Sequence, residues 1–250
     1  MKQEETIVKH LKALRLPGFR SALQEQQQEV EYASYSFEER LEIVLSREIE
    51  KRHQNRTYRL LREAHLRENQ ACMEEIDYNQ KRSLRQEDVR EFRGTNWLES
   101  HHNILITGAS GVGKTYIACA IGNQACRNGY RVLYYRLPEL SESITMSRIM
   151  GDIAELRKKL YKAALLILDD FGLYPLQEKE RYELFELIEN RYHRASTIIC
   201  THVPIDKWDK IIGDPGISDG ICDRFIHRAH RLQITGESMR KKEEVKDSKN

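Results

Sequence analysis

The residues best suited to chemistry are Gly108-Ala109-Ser110-Gly111-Val112-Gly113-Lys114-Thr115, spaced as G-x-x-x-x-G-K-[ST]. In such a loop the glycines let backbone N–H groups turn inward on an anion. The Lys114 ammonium would reach the β- and γ-phosphates of a nucleoside triphosphate, and the Thr115 hydroxyl would ligate Mg²⁺. With Tyr116 at the head of the helix that follows, Gly108 to Tyr116 is the expected nucleotide contact. A second constellation is Leu165-Leu166-Ile167-Leu168-Asp169-Asp170, an apolar run ending in two carboxylates. Asp169 is placed to hold Mg²⁺, directly or through water, and Asp170 to orient or deprotonate an attacking water. Together the two constellations predict hydrolysis of ATP.

These groups need a scaffold that brings them to one edge. Asn103-Ile104-Leu105-Ile106-Thr107 reads as a buried strand before the loop, and the apolar stretch from Tyr116 to Ile121 as the helix after it. Downstream, Arg131–Tyr135, Leu165–Leu168, Thr197–Cys200 and Arg231–Ile234 read as strands. Helical stretches lie between them, at about Pro138–Lys162, Glu178–Arg194, Ile205–Ile211 and Asp219–Arg228. This alternation predicts an α/β domain with a parallel sheet between helices. Thr201 or His202, at the tip of the fourth strand, could sense a γ-phosphate. Arg224, shortly before the last strand, stands where an arginine finger would reach a neighbouring subunit's nucleotide, with Arg228 and Arg231 as competitors.

Residues 1 to about 70 carry helix patterns without a convincing strand. Ser36 and Glu39 make a capping box, and Phe37, Leu41, Val44, Leu45 and Ile49 share a face expected to be core. From Lys51 to Arg67, six Lys and Arg stand against the lone Glu63. Arg52, Arg56 and Arg59 would line one side of a helix and, with Lys51, form either a solvated face or a contact for the phosphates of double-stranded DNA. The expected division is a helical domain over 1–70, a polar connector over 71–98, an ATPase domain over 99–240 and a charged tail over 241–250.

Composition narrows the classes. With 41 Lys and Arg against 39 Asp and Glu, the net charge is +2, so any nucleic-acid surface must be local. No apolar run is long enough for a membrane helix, and the first residues lack a signal core, which predicts a cytoplasmic protein. Five cysteines without a C-x-x-C pair read as structural thiols in a reducing compartment.

Further stretches carry a resemblance. Arg136-Leu137-Pro138-Glu139-Leu140, Leu168-Asp169-Asp170-Phe171-Gly172-Leu173, Val203-Pro204 with Trp208, Asp223-Arg224-Phe225 and Gly236-Glu237-Ser238-Met239-Arg240-Lys241 accompany the P-loop. Together they resemble IstB-type transposition helper ATPases, AAA+ proteins related to the DnaC/DnaI helicase loaders. The resemblance implies an ATPase that assembles on duplex DNA in its ATP state, deforms it, and recruits or activates a partner transposase. By position, Lys114 and Thr115 match the family's Walker A residues, Asp169 and Asp170 its Walker B, Arg224 its arginine finger and Arg240 its sensor 2. Two departures stand out: Thr201-His202 replaces the usual Asn of sensor 1, and little chain follows the last strand, so no C-terminal helical lid is expected. A helicase loader and a small-molecule P-loop kinase are the competing readings. The Asp169-Asp170 pair argues against the kinase, and Cys72 as the lone cysteine before the P-loop weakens the loader.

Overall fold

Continuous apolar strands need cover on both faces, and the fold supplies it. The computed structural model describes residues 2–78 and 83–239, in two compact units, Met1–Arg59 and Leu60–Asn250. The expected tail, 241–250, and Arg240 lie outside the described residues.

The first unit is helical, with α1 (Lys2–Ala13), α2 (Pro17–Gln28) and most of α3 (Phe37–Ala64). The capping box at the head of α3 forms: Ser36 N–H donates to Glu39 Oε2 (2.7 Å) and Glu39 N–H to Ser36 Oγ (3.3 Å). The expected core stripe does not. Val44 is buried, but Phe37 is 73% and Ile49 69% exposed, and Leu41 and Leu45 also face solvent. The cause is the face that α2 covers. Gln26 exchanges side-chain hydrogen bonds with Arg40, and Phe19 N–H donates to the buried Glu48 carboxylate (2.9 Å). Arg40, Val44 and Glu48, spaced by fours, therefore form the covered side, rotated away from the 37–41–45–49 line.

The second unit begins with the last turn of α3 and continues through α4 (Gln86–Arg90), α5 (Asn96–Glu99), β1 (Asn103–Gly108) and α6 (Lys114–Arg127). Next come β2 (Val132–Arg136), α7 (Leu137–Met150), α8 (Ile153–Lys162), β3 (Leu165–Phe171) and α9 (Glu178–Arg191). β4 (Ser196–Thr201), α10 (Trp208–Ile212), α11 (Pro215–Ile226) and β5 (Ala229–Ile234) complete it. All strand pairs are parallel, in the order β2-β3-β4-β1-β5. Ile104, Ile106, Ile167, Ile198 and Cys200 face one core with α6; Leu105, Leu166, Leu168 and Ile199 face another with α7, α9 and α11. This alternation is what a doubly covered sheet requires. Among the described residues no helix follows β5.

Two readings change. The helical stretch after β2 is two helices, because Gly151 ends α7 in the left-handed region (φ 81°). The expected polar connector is part of the core: Ala71, Met73, Ile76, Leu84, Val89, Phe92, Trp97 and Leu98 are all buried in the second unit. Its apolar residues are scattered in sequence, yet they join the core cluster that contains Ile104, Ile106 and Ile167 of the sheet. Ser83 ties the segment to the end of β5, donating to Gln233 O (2.9 Å) and accepting from Thr235 N–H (2.8 Å).

A buried arginine missed in the sequence joins the strand starts. Arg191 is 1% exposed and donates to Leu160 O (2.6 Å), Ala163 O (2.9 Å), Thr197 Oγ1 (3.0 Å) and Ser196 O. Burial lowers its pKa, and the carbonyls offset the desolvation.

Candidate functional site

The site is assembled at the C-terminal edge of the sheet, where β1 turns into α6 and β3 ends. Gly108 must be glycine because β5 passes too close: a Cβ there would stand 2.2 Å from Ile234 O. Gly113 caps α6 with φ 95°, a conformation L side chains rarely adopt. The loop's crown is held by Met239 N–H, which donates to Gly111 O (2.8 Å). The first N–H groups of α6 therefore stand at the mouth of the loop, where a helix terminus favours an anion.

Lys114 Nζ lies over this loop, donating to Gly108 O (2.9 Å) and Ala109 O (2.8 Å). Thr115 Oγ1 donates to Asp169 Oδ2 (2.7 Å), across from α6 to the end of β3. Asp169 is 1% exposed, and its Oδ1 accepts the Asp170 N–H (2.9 Å). Asp170 adopts a left-handed conformation (φ 56°) where the β3–β4 pairing shifts register. Such a backbone is uncommon for Asp and turns successive carboxylates in different directions. Asp170 Oδ2 accepts from Arg136 Nε (2.6 Å) at the end of β2.

A cavity of about 400 Å³ opens between these groups, lined by Ser110, Gly111, Gly113, Lys114, Thr115, Tyr116, Asp169 and Asp170. That volume is in the range of small-ligand sites. Its other wall has three carboxylates that the motifs do not contain, Glu68, Glu75 and Asp77, together with Met239. Glu75 and Asp77 belong to the segment read as a connector and Glu68 to the end of the stretch read as helical, and no spacing rule pointed to them. Burial pushes the Tyr116 phenol up. The same cause pushes the thiols of Cys119 and Cys126 up to about 12, so both stay protonated and unreactive. Among the described residues no His, Cys, Asp and Glu group forms a ready metal cluster. The oxygens of Thr115 and Asp169 do suit Mg²⁺, which takes few protein ligands and keeps phosphate and water oxygens.

The structure does not gather every residue singled out. Neither Thr201 nor His202 lines the cavity. The Thr201 hydroxyl is used internally, donating to Phe171 O (2.7 Å) and accepting from Val203 N–H (3.0 Å); His202 is exposed. Arg224 is on α11, ion-paired with Glu189, donating to Gly220 O (3.1 Å) and lying 5.2 Å from the centre of the Phe185 ring. Asn103 fixes this end of α11, its Nδ2 donating to Phe225 O (3.0 Å). Arg224 is thus beside the start of β1, while Gly108 is at its end, about 17 Å along a strand of that length. It does not reach its own chain's cavity. Arg228 donates to Ser100 O (3.0 Å), and Arg231 is exposed. Lys51, Arg52, Arg56 and Arg59 all face solvent on α3, with Arg52 donating to Glu48 Oε1 (2.7 Å).

Comparison with known proteins places the chain in a family. Residues 9–247 match the family of IstB-like ATP-binding proteins. The chain is 40% identical over 236 residues to an insertion sequence ATP-binding protein, y4pL, of Sinorhizobium fredii, covering 94% of this chain and 96% of the relative. It is 30% identical over 246 residues to the insertion sequence IS21 ATP-binding protein of Pseudomonas aeruginosa, covering 98% and 91%. Among solved structures, the replication initiator DnaA bound to AMPPCP and single-stranded DNA superposes with TM-score 0.60 at 26% identity, over 73% of this chain and 56% of that one. The DnaC helicase loader superposes with TM-score 0.56 at 18% identity, over 66% and 96%, a likeness of fold. No described helix is long and apolar enough to cross a membrane.

Proposed function

The chain belongs to the IstB-like ATP-binding protein family, and from that premise we propose that it is an ATP-hydrolysing helper of DNA transposition. The reading rests on one observation: Lys114, Thr115, Asp169 and Asp170 line the same cavity. Gly108 to Tyr116 binds the phosphates, with Lys114 on the β- and γ-oxygens. Thr115 and Asp169 hold Mg²⁺, which when bound neutralises charge on those oxygens. Asp170 positions the water and takes its proton, with Arg136 orienting the carboxylate. Neither Thr201 nor His202 has a sensing role in this scheme.

Arg224 serves a neighbouring subunit's nucleotide, so ATP completes a site between copies. Its distance from its own cavity supports this, as does its partly exposed side chain (26%). Arg224→Ala should keep ATP affinity within about threefold while turnover falls about 10³-fold, the lower range for a lost arginine finger. Steady-state hydrolysis of Arg224→Ala mixed with Asp170→Asn should recover part of the wild-type rate. Unchanged turnover in the single variant would move the finger to Arg228 or Arg231.

The assembly binds duplex DNA, deforms it and recruits a partner transposase; hydrolysis resets it. The relatives' being insertion sequence ATP-binding proteins supports the partner. Two basic surfaces support the DNA contact: Lys51, Arg52, Arg56 and Arg59 on α3, and an open concavity where Arg131, Lys158, Lys159 and Lys162 outnumber Asp152 and Glu155. Electron microscopy on long duplex DNA tests this reading. Protein arrays should cover the DNA with ATP and Mg²⁺, and they should be lost without nucleotide or as salt rises from 50 to 200 mM. Equal DNA coverage with and without ATP would defeat the proposal.

A further inference from the structure

Asp169 has a partner that no motif contains. Its carboxylate is 1% exposed and accepts three hydrogen bonds. Thr115 Oγ1 (2.7 Å) and the Tyr134 hydroxyl (2.9 Å) share Oδ2, and the Asp170 N–H takes Oδ1 (2.9 Å). Thr115 and Asp170 belong to the nucleotide motifs, whereas Tyr134 is in the middle of β2. In register Tyr134 faces Ile167, and Arg136 faces Asp169. The phenol therefore leans two positions along the neighbouring strand to reach the carboxylate.

We infer that Tyr134 is the positioning residue that holds Asp169 in the orientation Mg²⁺ requires; this rests on the Mg²⁺·ATP reading of the site. The Thr115 hydroxyl has one hydrogen and must direct it at Asp169 if its lone pair is to face the cation. Tyr134, 6% exposed, has no comparable second task. Its hydrogen bond fixes the carboxylate rotamer while Thr115 and the cation's water arrange around it. Groups that orient a metal's ligands in this way typically change affinity 10- to 100-fold when removed.

Mn²⁺, followed by electron paramagnetic resonance, reports the site without relying on turnover. In Tyr134→Phe the Kd of Mn²⁺ for the protein·ATP complex should rise at least tenfold, while ATP affinity in EDTA stays within twofold of wild type. A role in packing alone would leave the Mn²⁺ Kd unchanged, and that result would overturn the inference. If Tyr134→Phe fails to fold, para-methylphenylalanine at the position fills the space without a donor and should reproduce the weakening. Para-aminophenylalanine restores a donor and should restore Mn²⁺ affinity; equal affinities with the two analogues would also overturn the inference. Wild-type protein that binds ATP without any gain from Mn²⁺ would instead defeat the Mg²⁺·ATP reading beneath it.

Discussion

Lys114→Ala should weaken ATP binding by about 2–3 kcal/mol, roughly 30- to 150-fold in Kd, the size expected for lost charge-assisted hydrogen bonds. The lysine's position makes the effect local. Its Nζ rests on Gly108 O and Ala109 O, where the end of β1 enters the loop, so these two contacts lie within the nucleotide site. The glycine backbone is held from outside, by Ile234 against Gly108 and by the Met239 N–H on Gly111 O. The loop should therefore keep its shape, and the thermal midpoint should stay near wild type. Hydrolysis should fall further than binding, because the ammonium meets more charge on the γ-phosphate as the bond breaks. If ATP holds the assembly together, DNA coverage should collapse in the same variant. Calorimetric titration with ATP measures the first effect, and retention of wild-type affinity would show that Lys114 does not meet the phosphates. DNA coverage that survives the loss of ATP binding would separate the nucleotide site from assembly.

The legible parts of this molecule are those where chemistry demands a residue type at a short spacing. Gly108 to Thr115 and Asp169-Asp170 could be read because a phosphate loop and a carboxylate-tipped strand constrain neighbours in sequence. β1, β3 and β4 were visible as continuous apolar runs, which only a doubly covered strand tolerates. The other wall of the cavity was not visible. Glu68, Glu75 and Asp77 resemble any solvated carboxylates until the segment around them is packed, and its anchors, such as Met73 and Phe92, are too widely spaced to show a period. Tyr134 is a strand-forming residue in a strand, so local pattern gives no reason to single it out. The α3 stripe shows a different limit. Periodicity correctly found an amphipathic helix, but a tertiary contact decides which face is covered, and α2 chose Arg40, Val44 and Glu48. Arg224 combines both cases: its place on the chain was legible, but its pairing with Glu189 and Phe185 was not.

Asp170→Asn should separate holding ATP from cleaving it. The substitution keeps the side chain's size and an oxygen for Arg136 Nε, so the strained turn at φ 56° should persist, Asn being among the residues that tolerate it. ATP affinity should stay within about threefold, since Lys114, Thr115 and Asp169 are untouched. Hydrolysis should drop about 10²- to 10⁴-fold, the range for a lost general base, because an amide cannot accept the water's proton. Single-turnover hydrolysis beside nucleotide binding reads both quantities. Slowed hydrolysis with intact binding should also stabilise the DNA-bound form, so that protein arrays outlast wild-type ones after free ATP is removed. The alternative base would come from the opposite wall, where Glu68, Glu75 and Asp77 line the same cavity. Hydrolysis within tenfold of wild type in Asp170→Asn would transfer the role there, and glutamine or asparagine at each of those three positions would find it. A rate lost only when Asp170 is changed would tie water activation to the end of β3. Arg136, reaching the same carboxylate from β2, would then control the orientation in which Asp170 meets the water.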